Sequence, residues 1–271
     1  MTVGHRLDGA TMTTTAAVTV QRSRTVSNWF YLWMGVLCVL LPLGGFLGTY
    51  LVPLASGTFN EPSILHVHAV LAFAWTGLFV TQAWLIARGR VVRHEAVGLA
   101  GIALATATFF TGVIVAIKTM NVGIAAGNGE GARAFAIVPI TIIVTFAGLL
   151  VAAVANIKRP EYHKRLMLMA TISIMPPAMG RLIGMAAQQV AIGPRQLGAT
   201  IAPVAVGTVS AVAADLLIVA AMAYEWRTRG RAHRVYWIAG GAIVLIQFLR
   251  IPISATGSWM RFTEVLSSLA Q

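Results

Sequence analysis

The chain is poor in charge, and poorest in negative charge. Its 271 residues include 20 lysines and arginines but only 8 acidic side chains. Charged residues make up 10% of the total, where soluble domains carry roughly a quarter. The one cysteine, Cys38, lies inside an apolar run. That excludes an intrachain disulfide and a metal site built on several thiolates. The only lysines are Lys118, Lys158 and Lys164, so the last apolar run has no amine for the retinal Schiff base of a seven-helix rhodopsin. No phosphate-binding glycine loop, nucleophile elbow or H-E-x-x-H zinc motif occurs, so an ATP-driven function would need a partner. What is present is apolar: 58% of residues are hydrophobic and the mean hydropathy is +0.79. The chain reads as a polytopic membrane protein in a lipid bilayer.

Spanning a bilayer takes roughly 20 apolar residues. Seven runs qualify, at about 29–54, 64–87, 95–118, 134–157, 163–189, 201–226 and 235–255. The expected fold is an all-α bundle of seven transmembrane helices occupying 28–260. Residues 1–27 are polar and rich in threonine, and read as a disordered cytoplasmic tail, with Met12 as an alternative start. No cleavable signal is expected, because the first apolar run is too long. Residues 261–271 read as a short outer carboxyl-terminal tail.

Three short basic turns punctuate the runs: Arg88 to His94, Lys158 to Arg165 and Arg227 to His233. Together with the amino-terminal tail and Arg234, which follows the last turn, they hold 14 of the 20 basic residues. By the positive-inside rule that places the amino terminus in the cytoplasm and the carboxyl terminus outside, in a bacterial inner membrane. The net charge of +12 is thereby explained by topology, and nucleic acid is not an expected partner. Trp29, Tyr31, Trp33, Tyr162, Trp226, Tyr236 and Trp237 are expected at the inner interface. Each basic turn carries a histidine that opens the next run. His94 and His163 are 69 positions apart, and His163 and His233 are 70 apart. A fixed period of this kind marks an internal repeat, read here as one leading helix followed by three parallel hairpins of about 70 residues.

Polar residues within the spans are scarce and therefore informative. Arg181 and Arg250 lie about 25 Å along their helices from the inner histidines, at a rise of about 1.5 Å per residue. Asp215 lies somewhat less deep, and His66 and His68 open the second run. These five are expected to form an outer-leaflet polar layer. It is either a set of ion pairs that locks the bundle or a pocket for an anionic or redox ligand. Of His66 and His68 only one can face the bundle core, since residues two apart point differently; His68 is the expected one. His94 and His163, at one depth on the third and fifth helices, could ligate a haem iron. His233, flanked by arginines, is the least suited. Pro176 and Pro177 should kink the fifth helix and free the carbonyls of Ile172 and Ser173 beside Arg181. The methionines of that helix read as packing.

The succession His66-Val-His68-Ala69, Trp75, Gln82, Gly89-Arg90 and His94, with His163-Lys-Arg-Leu-Met167 and Arg181, resembles small polytopic bacterial membrane proteins of unassigned function. The likeness covers about half of the chain. A weaker likeness is to membrane b-type cytochromes, and it implies at most one haem b. The leading expectation is a haem- or quinone-linked redox or respiratory accessory subunit, working with quinone or other subunits of a membrane complex. His68, His94, His163, Arg181 and Arg250 are the cofactor-binding candidates, and His66 and Asp215 are further polar candidates. The alternatives are a transporter or binding protein for a small anion or lipid, and a non-catalytic assembly subunit.

Overall fold

A polypeptide in hydrocarbon must satisfy its backbone internally, so apolar runs of this length fold as helices. The computed structural model describes residues 29–187 and 203–268, and all regular structure among them is helical. The tail 1–27, the segment 188–202 and residues 269–271 lie outside the described residues. Among the described residues six helices are long and apolar enough to cross a membrane. They are α1 (Trp29–Ala55), α2 (Ser63–Ala87), α3 (Val91–Ala125), α4 (Gly129–Ala155), α7 (Val204–Arg229) and α8 (Arg234–Ser254). Between α4 and α7 the chain forms α5 (Pro160–Ser173) and α6 (Pro176–Ala186), which meet at 45°. A final helix, α9 (Gly257–Ser268), occupies the stretch expected to be a tail.

Several boundaries differ from the sequence reading, each for a local reason. The third helix was expected over 95–118 and runs from Val91 to Ala125, because apolar and small residues continue past Lys118 to the turn at Gly127, where φ is +85°. The fourth starts earlier, at Gly129, and breaks at Ala136 between Phe135 and Ile137. Pro139 follows the break and has no N–H to donate to the Phe135 carbonyl. The expected helix 163–189 is the bent pair α5–α6. Its kink falls at Pro176, as the two prolines require. The carbonyl of Ile172 is not left free, however, since the backbone N–H of Met175 bonds to it at 2.9 Å. The turns before α3 and after α7 are closed by Gly89 and Gly230, at φ of +70° and +71°, a left-handed conformation that glycine adopts without strain.

The centre of the bundle is α5. Leu168, Met169, Ala170, Thr171 and Ile172 are fully buried in succession, so every side of this helix is covered by protein. It packs on α4, α7 and α8, and joins Tyr31, Met34 and Cys38 of α1 in one apolar core. The outer helices carry their apolar side chains outward: Leu99, Val151, Leu216 and Ile238 are 65–74% exposed. Such a surface belongs in lipid, where exposed apolar patches cost nothing. The chain is a multi-pass membrane protein.

All three basic turns and the start of α1 gather at one end of the bundle. The Arg88 guanidinium lies 5.9 Å from the Trp29 ring, Lys164 Nζ lies 5.3 Å from the Tyr31 ring, and Phe30 stacks on Tyr224 with centroids 3.8 Å apart. At the opposite end α9 packs against α3 and the first turns of α4. There Trp259 Nε1 donates to the Arg133 carbonyl at 2.8 Å, and the Ser267 hydroxyl to Asn121 at 2.8 Å. The expected interfacial aromatics divide. Trp33, Trp226 and Trp237 are exposed, while Tyr31 and Tyr236 are buried inside the protein.

Candidate functional site

The helix start signals bring the inner histidines together. Gly89 reverses the chain and Pro160 opens α5, so α3 and α5 both begin at the basic end with His94 and His163 in their first turns. The two imidazoles meet edge to face, with ring centroids 6.3 Å apart and planes at 88°. His163 Nδ1 lies 2.9 Å from the Ala153 carbonyl of α4. An Nδ1–H donated there leaves Nε2 unprotonated, with its lone pair free to accept. His94 Nδ1 is buried without a hydrogen-bond partner, as is Gln82 Oε1 on α2. His233 does not join the pair. It caps α8, its Nδ1 accepting the Val235 N–H at 3.2 Å, and its ring meets Tyr162 edge-on at 4.9 Å. Burial, and then the nearby Arg165 charge, hold the His233 pKa below its ordinary value.

Beside the histidines lies a buried charge cluster that the sequence reading missed. Arg165 is fully buried, forms an ion pair with the buried Glu225 of α7, and reaches Glu161 Oε2 at 2.9 Å. Glu161, about half exposed, is shared with Lys164 Nζ at 2.6 Å and Arg229 at 2.7 Å. Glu225 also accepts the His233 backbone N–H at 3.0 Å and a longer bond from the Tyr31 hydroxyl at 3.5 Å. Tyr31 and Tyr236 hydroxyls are 3.4 Å apart. The cluster ties α1, α5, α7 and α8 together. Arg165 reads in sequence as one more topology-setting cation. The available signal was Glu225, an acid placed among the arginines that end α7.

The five residues expected in one outer layer are divided among separate neighbours. His66 Nδ1 meets the Tyr50 hydroxyl of α1 at 3.3 Å, whereas His68 Nδ1 meets Thr111 of α3 at 3.0 Å. Gly112 leaves room for that approach, since a Cβ there would stand 3.2 Å from His68 Cε1. Arg181 lies over the Phe46 ring of α1 at 4.2 Å and donates to the Pro177 carbonyl at 3.0 Å. Arg250 instead faces α7, its Nε donating to Thr208 at 3.1 Å. Asp215 lies within electrostatic reach of Arg250 and beside Gln247. Among the described residues it forms no ion pair with either arginine, and no cluster of three or more metal-ligating side chains occurs.

No family model matches the chain, and no curated protein or solved structure is measurably similar to it.

Proposed function

We propose that this chain is a seven-span protein of a bacterial inner membrane that holds one haem b iron between His94 and His163 and serves electron transfer, with quinone or another subunit of a respiratory complex as partner. In this reading α5 and α6 form one broken span. The amino terminus lies inside and the carboxyl terminus outside, because the basic turns share one end. The three inner histidines mark three diverged hairpin repeats.

The observation that carries the reading is the pairing of His94 with His163. Two imidazoles on opposite sides of one metal stand roughly 6 Å apart, from about 2 Å for each metal–nitrogen bond plus about 1 Å to each ring centre. The observed 6.3 Å agrees. A metal-bound histidine normally gives its other ring N–H to a backbone carbonyl, and His163 has Ala153 for this. The unpartnered His94 nitrogen and Gln82 oxygen are what a polar group between the helices would satisfy. Arg90 and Arg93, lining a depression over the turn Gly89–Arg93, supply cations for propionates. Arg181 and Arg250 stand about 25 Å further along their helices, too far to serve there. Bound in this place, haem would supply one-electron chemistry, and its potential would be set by the two imidazoles and the basic turns.

The test is a reduced-minus-oxidised spectrum of detergent-purified protein expressed with haem supplementation. A b-type spectrum is expected. It should vanish in His94→Ala and in His163→Ala while both variants still elute as folded monodisperse protein, and it should persist in His233→Ala. A colourless wild-type protein ends the proposal. The competing readings, an anion or lipid carrier and a purely structural subunit, both require that result. Topology is checked separately: a reporter active only outside the cytoplasm, fused after Gln271, should be active.

A further inference from the structure

We infer that Asp215 is a proton-binding site near the middle of its span, its second carboxyl oxygen joined to solvent through water shared with Gln247 Oε1 and Arg250. The inference is independent of haem. Asp215 lies 11 residues from Val204 and 14 from Arg229, the ends of α7; at a rise of about 1.5 Å per residue both ends are roughly 15–20 Å away. Asp215 is hydrogen-bonded by the Gln247 side chain and lies within electrostatic reach of Arg250, and each of the three keeps one polar atom without a protein partner: Asp215 Oδ2, Gln247 Oε1 and Arg250 Nη2. Gln247 and Arg250 are 6% and 2% exposed. Buried polar atoms are normally satisfied, and an unsatisfied group signals a missing partner.

The chemistry of the three atoms selects the partner. Two are acceptors and one is a donor. An anion would meet a carboxylate and an amide oxygen. A cation would meet the guanidinium. Water donates to both acceptors and accepts from the donor, and a buried water needs two to four such partners. A carboxyl with one oxygen on Gln247 and the other on water, and with no direct ion pair, is locked in neither of its forms. Its charged form is compensated by Arg250 only at a distance, and its protonated form finds an acceptor in the same water.

Among the described residues no other ionisable group competes for it. The part of α4 that packs on α7 and α8, Ile137–Ala155, contains none. Those of α5 sit at its basic end. Arg181 of α6 is turned to Phe46 on α1.

The chain contains only two aspartates, Asp8 and Asp215. Carboxyl-13C-aspartate labelling therefore gives two NMR signals, and Asp8→Asn assigns them without touching the site. The Asp215 signal is expected to move between its ionised and protonated positions as pH is lowered, and to show a solvent isotope shift in D2O. Arg250→Gln should shift the pH of that transition by about one unit or more, the usual influence of a nearby opposite charge. A signal fixed at the ionised position over the whole range in which the protein stays folded would mean a closed ion pair, and overturns the inference. A signal fixed at the protonated position without an isotope shift overturns it equally. If Arg250→Gln does not fold, the wild-type titration and isotope shift decide alone.

Discussion

Glu225→Ala should be among the most damaging single substitutions in this protein. The change strands the Arg165 guanidinium, whose side chain is 0% exposed against 3% for Glu225. Removing one partner of a buried ion pair costs about 3–5 kcal/mol, because the other charge stays buried and uncompensated. The His233 N–H loses its acceptor as well, which adds about 1 kcal/mol. Glu161 offsets part of this through its 2.9 Å contact with Arg165, but it is 48% exposed and also serves Lys164 and Arg229. A net loss of about 4 kcal/mol is expected. Arg165→Met should cost less, about 3 kcal/mol, since Glu225 keeps the His233 N–H and the Tyr31 hydroxyl. The double variant Arg165→Met/Glu225→Leu buries no charge and should recover most of the loss, as apolar replacement of a whole buried pair is often neutral. Equilibrium unfolding in mixed micelles, across the four corners of the cycle, reads the coupling directly. Losses that simply add, with a coupling below about 0.5 kcal/mol, would refute the claim that this pair holds α5 to α7.

Two further outcomes follow from local geometry. A Cβ at Gly45 would stand 2.5 Å from the Ala178 carbonyl oxygen, so Gly45→Ala should lower unfolding stability by about 1–3 kcal/mol through forced separation of α1 and α6. Gly77→Ala, with nothing within 4 Å, should be neutral or gain up to about 1 kcal/mol in the same assay. His233 caps α8 only while Nδ1 is unprotonated, and its pKa is lowered by burial and by Arg165. The unfolded chain therefore binds this proton more readily. The His233 contribution is complete above its unfolded pKa of about 6.5 and declines as pH falls below that value. Asparagine caps helices without titrating, so His233→Asn should flatten this part of the stability–pH curve.

Six of the seven expected spans were legible because twenty apolar residues in a row have one outcome in lipid, and the proline kink was legible because Pro176 and Pro177 cannot donate. The basic end was legible from the spacing of its turns, and so was the proximity of His94 and His163, each in the first turn of a helix. Rotation about each helix axis was not. A membrane helix that is apolar on all sides carries no stripe to say which face meets protein. Asp215, Arg181 and Arg250 therefore looked like one layer until the structure turned Arg181 toward Phe46 and Arg250 toward Thr208. Arg165 was misread for a related reason: a cation in a basic turn looks solvated unless the helix it opens is known to be central.

That position of α5 bears on how the protein is made. The most deeply enclosed helix is also among the least apolar, opening with Glu161, His163, Lys164 and Arg165 within its first turns. During synthesis Arg165 emerges long before Glu225, which lies 60 residues downstream. Glu161, four residues earlier on the same helix, is the one acid at hand, and it can hold the guanidinium at the membrane surface meanwhile. The final placement of α5 must therefore wait for α7 and α8 to arrive. Chains truncated before Glu225 should leave this helix accessible to water-soluble reagents, and chains that include α8 should close it.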